Sequence, residues 1–222
     1  MSPGGVGGLE RDAGDVLEAG LRQLGISCTP EQLEGLLRYQ NELRRWNRRM
    51  NLVAGGEASL TVRHVLDSLA GLPVVASENP TRAADVGSGA GLPGVPLALC
   101  MPAVRWSLVE RSGRRAAFLR NAVAVLRLSN AHVVEADVQE VRELFDVVTT
   151  RAFAPFSPDS VAWLLRLLRP AGRLVAYKGT RSRIDQELSG VPCLSAQVVP
   201  VSVPFLQEAR HLVVLRPGQD PP

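Results

Sequence analysis

The chain has 222 residues, 45% of them apolar and 21% charged, with a formal net charge of +3. That length and composition fit one soluble α/β domain plus a small extra element, and they exclude a disordered chain. No run approaches the roughly 20 consecutive apolar residues of a membrane-spanning helix. The three cysteines, Cys28, Cys100 and Cys193, stand in no metal-ligand spacing and read as buried thiols in a reducing, cytoplasmic setting, with no metal site.

In chain order, Met1-Ser-Pro-Gly-Gly-Val-Gly-Gly8 lacks the basic and apolar parts of a signal peptide and reads as a flexible tail over 1–8. Residues 9–25 and 31–49 carry helical periodicity, with Thr29-Pro30-Glu31 as the start signal of the second helix. Leu33, Leu36, Leu37, Leu43 and Trp46 form its apolar stripe; Trp46 is read first as a core anchor and second as a base-stacking ring. A third helix is expected over 58–71, with Leu60, Val65, Leu66 and Leu69 inward. These helices make an N-terminal helical segment, 9–72.

From residue 82 the pattern changes to short β-branched runs alternating with helices. Strands are expected at 82–87, 104–110, 131–136, 145–150, 172–178, about 196–203 and 211–216, and helices at 92–100, 113–127, 157–169 and 182–189. Such alternation predicts a doubly wound, mostly parallel, seven-stranded sheet over 73–222, with helices on both faces. The last two strands lack a helix-length connection, so they are expected as an antiparallel pair at one edge.

The basic residues are unevenly spread. Arg44, Arg45, Arg48 and Arg49 form an acid-free knot, and six arginines between Arg105 and Arg127, Arg114 and Arg115 among them, face only Glu110. Such clusters suit phosphate backbones, with a solvated helix face as the alternative.

The densest local signal is Asp85-Val-Gly-Ser-Gly-Ala-Gly-Leu92, an acid at a strand end followed by Gly87, Gly89 and Gly91. Three glycines permit a sharp turn and a close approach of ligand to backbone, so Asp85, Gly87, Gly89 and Gly91 are candidate cofactor contacts. A nicotinamide-type fingerprint would need its third glycine where Leu92 stands, and the spacing instead resembles that of adenosylmethionine-dependent methyltransferases. In an open parallel sheet the ligand lies beyond the carboxyl ends of the strands. The second strand ends at Glu110, 23 residues after Gly87, where a carboxylate can accept from ribose hydroxyls. The third leads into Asp137-Val138-Gln139, a loop suited to an adenine edge or to a helix cap by Asp137. The fourth ends at Arg151, followed by Phe153, the better candidate for stacking on a base. The fifth ends at Lys178, the single lysine among 25 basic side chains.

On these residues the chain resembles the glucose-inhibited division protein B family, the bacterial 16S ribosomal RNA guanine-N7 methyltransferases. The matching blocks are Arg45-Trp46-Asn47, Asn51-Leu52, Arg63-His64-Val65-Leu66-Asp67-Ser68 and the glycine turn from Asp85 to Leu97. Further on they are Arg114-Arg115, Phe118-Leu119-Arg120, Arg151-Ala152-Phe153-Ala154, Lys178-Gly179 and Arg210-His211-Leu212-Val213-Val214. The resemblance implies S-adenosylmethionine as cofactor and a guanine in the decoding-centre loop of small-subunit RNA as target. It also implies cofactor contacts at Gly87, Leu92, Val138, Gln139 and Arg151. Arg44, Arg45, Arg48, Arg63, Arg114, Arg115, Phe153 and Lys178 are then candidates for the RNA side. The partner would be 16S ribosomal RNA or an assembling small subunit, and the protein a monomer. Two departures stand out: Val53-Ala54-Gly55-Gly56 follows Asn51-Leu52 where many relatives have threonine, and Glu110-Arg111 replaces the more usual aspartate.

The absences point the same way. No cysteine falls at an expected strand end, as carbon-5 pyrimidine methylation requires. Thr150-Arg151-Ala152-Phe153 stands where amino-group methyltransferases carry Asn/Asp-Pro-Pro-aromatic. Guanine N7 already presents a lone pair and needs neither nucleophile nor base, which leaves Arg151 to orient the reactants by contact with the base or with the cofactor.

Overall fold

The computed structural model describes residues 6–55, 59–191 and 195–217, with side chains from residue 13 onward. Seven strands form one sheet: β1 (Arg82–Val86), β2 (Arg105–Val109), β3 (Ala131–Val134), β4 (Phe145–Arg151), β5 (Leu168–Lys178), β6 (Ala196–Val201) and β7 (Arg210–Leu215). Their order is β3-β2-β1-β4-β5-β7-β6. The first five are mutually parallel, and β7 runs antiparallel to both β5 and β6. The expected antiparallel pair is therefore present, but the last strand lies inside it and β6 takes the edge. Strand order reverses between β1 and β4, the place where such sheets open a crevice.

Both faces of the sheet are covered, which is why its strands read as nearly unbroken apolar runs. Ala83, Trp106, Val147, Val175 and Leu212 point to one side, beneath α4 (Leu72–Ser77) and α5 (Gly94–Cys100). Ala84, Val86, Val148, Leu174 and Ala176 point to the other, beneath α7 (Pro158–Leu165) and α8 (Arg181–Ser189). The N-terminal helices share a core with the sheet. Leu17 and Leu21 of α1 (Val6–Gln23), and Leu36, Tyr39 and Leu43 of α2 (Pro30–Met50), join one apolar cluster with Leu92, Val95, Phe118 and Leu119. Each such side chain, fully buried, contributes about 1.5–3 kcal/mol.

Local signals explain the helix ends. Thr29 and Gln32 form a reciprocal capping box at the start of α2, with Pro30 in its first turn, and Asn51 closes the helix in the left-handed region. Two contacts fix α2 over the site: Tyr39 donates its hydroxyl to Ala90 O in the glycine turn (2.6 Å), and Trp46 meets Phe118 edge-on at 5.6 Å. Phe118 belongs to α6 (Gly113–Leu126), so Trp46 takes the core-anchor role.

The helix expected over 58–71 is broken in kind. Residues 56–58 lie outside the described residues, Thr61–Leu66 is a π-helical turn, and Asp67–Leu69 (α3) returns to α-helix. Leu60, Val65, Leu66 and Leu69 are nonetheless all buried, as their spacing requires. The short α4 escapes a periodicity argument because six residues make fewer than two turns. Near 168 the boundary moves: α7 stops at Leu165 and β5 begins at Leu168, not 172. Pro170 cannot extend a helix, and Arg169 is bound to Asp146 of β4 (2.6 Å) across a register shift between Phe145 and Val147.

Cys28 and Cys100 are half-buried free thiols whose Sγ atoms lie 4.0 Å apart, although 72 residues separate them; Cys193 lies outside the described residues. Among the described residues, no helix is long and apolar enough to cross a membrane, and no group of three His, Cys, Asp or Glu could hold a metal.

Candidate active site

Two cavities open at the carboxyl ends of the strands and share one wall. The smaller, of about 340 Å³, is lined by Val86 and Gly87 after β1, Glu110 and Arg111 after β2, Asp137 to Gln139 after β3, and Phe153 after β4. The larger, of about 700 Å³, is lined by Arg63, His64, Asp67, Arg151, Lys178 and Arg210, with other residues around them. Ala152, Phe153 and Ala154 line both. Ala152 sits in the left-handed region (φ 54°), a strained conformation for a residue with a Cβ.

The glycine turn reaches the wall of the smaller cavity at Gly87. Gly87, Gly89 and Gly91 all have positive φ (69°, 57° and 83°). A Cβ on Gly87 would stand 2.6 Å from the Phe153 ring, while one on Gly89 would meet only Gly87 O (3.6 Å) and Glu110 Oε2 (3.9 Å). Gly91 faces the other way, its missing Cβ filled by Val95 and Leu119. Glu110 reaches over the turn: Gly89 N–H donates to its Oε2 (2.9 Å) and Ser112 N–H to its Oε1 (2.8 Å). A carboxylate held by backbone amides at this rim suits a ribose, and Gly87 leaves room against the backbone. The residues present therefore fit an adenosine-bearing cofactor.

Other expected contacts have different surroundings. Asp85 is fully buried beneath the turn, where Ser88 Oγ (2.7 Å) and Gly94 N–H (3.0 Å) donate to Oδ2 and Thr149 Oγ1 donates to Oδ1 (3.0 Å). Burial pushes its carboxyl up to about 6, against the pull of those hydrogen bonds. Its place is that of a brace for the turn. Leu92 is likewise buried, in the cluster below. Val138 and Gln139 do line the cavity, on a 3₁₀ turn that Asp137 caps by accepting from Gln139 N–H, so the capping alternative for Asp137 is realised.

Arg151 faces the larger cavity. Its Nη1 donates to Asp67 Oδ2 (2.8 Å) and to Arg63 O (3.4 Å), and its Nη2 lies 3.5 Å from His64 Nδ1. His64 sits beside Ala54 O through Nε2 (3.1 Å); burial, and then the Arg151 charge, hold its imidazole below the ordinary value. Lys178 is bound to Glu187 Oε2 (2.6 Å) and lies 3.9 Å from the centre of the Phe156 ring. Arg63 pairs with Glu208.

The remaining basic candidates sit on α2 and α6, which pack together through Trp46 and a bond from Asn121 to Glu42 (2.9 Å). Arg114 and Arg115 are exposed, and Arg115 also lines the smaller cavity. Arg45 and Arg48 are exposed, Arg45 pairing with Glu42 (2.9 Å); Arg44 is half-buried and donates to Asn41 (2.7 Å). Sequence reasoning gave no role to Asp67, Arg210, Glu187 or Trp163, all of which line a cavity. The Arg63–Ser68 block hinted at the first and the Arg210–Val214 block at the second.

Comparison with known proteins completes the assignment. The family model described as rRNA small subunit methyltransferase G (GidB) matches residues 32–213. The ribosomal RNA small subunit methyltransferase G of Treponema pallidum is 40% identical over 215 residues, covering 93% of this chain and 96% of that protein. Its namesake from Ralstonia nicotianae is 39% identical over 218 residues, with the same coverage. Among solved structures, an O-methyltransferase from Bacillus cereus in complex with SAH superposes with a TM-score of 0.61 at 17% identity, covering 81% of this chain and 91% of that one. Magnesium protoporphyrin IX methyltransferase from Synechocystis with bound SAM superposes at 0.54 and 16% identity, covering 81% and 97%. Those two likenesses establish the methyltransferase fold, whereas sequence identity over nearly the whole chain establishes more: the chain belongs to the GidB family, rRNA small subunit methyltransferase G, and is an S-adenosylmethionine-dependent ribosomal RNA methyltransferase.

Proposed function

We propose that this enzyme methylates N7 of one guanine in the decoding-centre loop of 16S ribosomal RNA. In this reading it acts as a cytoplasmic monomer on free RNA or on an assembling small subunit. The smaller cavity takes the cofactor, with Glu110 on the ribose and Val138 and Gln139 at the adenine. The larger takes the target base, stacked on Phe153. When bound, the cofactor supplies a methyl group already activated by its sulfonium.

One observation carries the choice of acceptor: the acids at the larger cavity are committed to cations. Asp67 is held between Arg151 and Arg210, and Glu187 by Lys178. The Tyr177 hydroxyl donates to Ser68 O (2.7 Å), and burial raises its pKa well above the ordinary value. His64 turns Nδ1 toward Arg151. A mouth so arranged orients a base but does not deprotonate one, which suits the free lone pair of N7. His211 supports a second reading. Its Nδ1 donates to Gly179 O (2.6 Å), so in the neutral imidazole Nε2 carries the lone pair and could serve an amino or ribose acceptor.

Chemistry separates the two. N7 methylation fixes a positive charge on the ring and weakens the glycosidic bond, so reduction followed by aniline should cut treated small-subunit RNA at one guanine. Single-turnover transfer with both substrates saturating should be nearly flat between about pH 6 and 9, because no group has to lose a proton. Burial, and then the Arg151 charge, lower the pKa of His64, which disfavours its charged form. A rate rising tenfold per pH unit, or RNA without an aniline-sensitive site, would favour the second reading.

RNA affinity in this reading comes largely from phosphate contacts. Charge reversal at the exposed Arg45, Arg48 and Arg49 should weaken RNA binding and reduce the slope of log K against log salt by about 2–3, with cofactor affinity unchanged. An unaltered slope would make this end of α2 a solvated face.

A further inference from the structure

Asp67 is the buried centre of the cationic wall of the larger cavity. Its Oδ2 accepts from Arg151 Nη1 and its Oδ1 from Arg210 Nε, each at 2.8 Å. The two arginines come from β4 and β7, strands on either side of β5, while Asp67 comes from the helical segment. Between them, Tyr177 of β5 donates its hydroxyl to the carbonyl of Ser68, which ties the backbone beside Asp67 to the sheet. Asp67 is only 5% exposed, so water contributes little to holding its charge, and the two guanidiniums do so instead. A guanidinium carries five N–H donors in a fixed plane. Each arginine commits only part of its fork to Asp67, and both line the cavity.

We propose that Asp67 is a positioning residue for methyl transfer, locking Arg151 and Arg210 into one rigid pair that docks the target nucleotide. The inference rests on the guanine-N7 reading above. Arg151 stands next to the Phe153 wall that borders the cofactor cavity, and so is placed for the acceptor edge of the base. Arg210 enters from β7 beside His211 and is placed for an adjoining phosphate. A carboxylate between two arginines also removes the mutual repulsion that would spread them when no RNA is bound. The pair is then preorganised, and its ordering is not a cost of reaching the transition state.

The competing role is a mere clamp between the helical layer and the sheet, and a double-mutant cycle separates the two. Asp67→Asn keeps the shape but exchanges one accepting oxygen for a donating amide, so one arginine loses its anchor. Single-turnover transfer to small-subunit RNA, with RNA and S-adenosylmethionine saturating, should slow by about 30–100-fold, the loss typical of reactants misplaced by an ångström. The cofactor Kd should stay within about 3-fold of the parent, because Asp67 does not line the cofactor cavity. In an Arg151→Lys background, Asp67→Asn should add clearly less than it costs in the parent, since only Arg210 is left for Asp67 to position.

Additive losses, a parental rate for Asp67→Asn, or a fall in cofactor affinity equal to the fall in rate would each overturn the proposal. Should Asp67→Asn fail to fold, Arg210→Lys replaces it, with the same rate loss and intact cofactor binding expected and a parental rate counting against. If the parent enzyme modifies an atom other than guanine N7, the functional reading fails independently, and the cycle still reports whether Asp67 positions Arg151.

Discussion

Gly87→Val is expected to weaken S-adenosylmethionine binding by about 100-fold or more in a protein that remains folded. Two costs combine at this position. The backbone has φ 69°, a region that a β-branched residue occupies only under strain. A Cβ there also stands 2.6 Å from Phe153 Cδ2, so the ring must leave the wall it shares with the second cavity. Phe153 is only partly buried, at the margin of the core, which is why the fold should survive. Calorimetric titration with the cofactor reads the effect directly. Gly87→Ala should lose less, and less again when combined with Phe153→Ala, because the clash is then gone and only the backbone strain persists. Gly89→Val should also lose binding. The nearest atoms there are farther off, but its Cβ would sit 3.9 Å from the Glu110 carboxylate proposed to hold the ribose. A parental titration curve for either valine variant would mean that this turn is not the cofactor site.

Arg151→Lys is expected to slow single-turnover methyl transfer by about 100-fold without introducing a pH dependence between about pH 6 and 9. Arginine at this strand end contacts three groups at once, Asp67, Arg63 O and His64 Nδ1, from one planar fork. A lysine ammonium carries the same charge but has no plane to hold those directions together. Charge is therefore conserved and geometry lost, so the rate should fall while cofactor affinity changes little. Stopped samples analysed for methyl incorporation at several pH values test both halves of the statement. A variant that keeps the parental rate would place the reacting groups away from the end of β4. One that gains a tenfold rise per pH unit would reveal a proton transfer in the reaction.

Much of the site was legible before any coordinates. Gly87, Glu110, Val138, Gln139 and Phe153 all border one cavity, because each follows a parallel strand and strand ends in such a sheet converge. Roles that depend on distant partners were not legible. Asp67 meets Arg151 across 84 residues and Arg210 across 143, and no local pattern carries that information. Lys178 reads in sequence as a lone compact cation at a strand end, yet its ammonium is bound to Glu187 on α8. Asp85 reads as a ligand-facing acid, yet side-chain alternation along β1 turns it inward with Ala83, toward the helices. The same applies to the thiols of Cys28 and Cys100, far apart along the chain and neighbours in space.

By itself, the sequence determined the kind and order of the elements from β1 to β7, the left-handed glycine turn, and the residues standing at each strand end. Those features follow from periodicities of two and 3.6 residues and from the φ preferences of single residues, all of which act within a few positions of the chain. Only the tertiary structure decided that β7 inserts between β5 and β6, that Asp85 braces the turn from below, and that Asp67 joins Arg151 to Arg210. Those outcomes depend on which charged groups lose water together, and a buried carboxylate is stable only where distant chain segments bring it cations or hydrogen-bond donors.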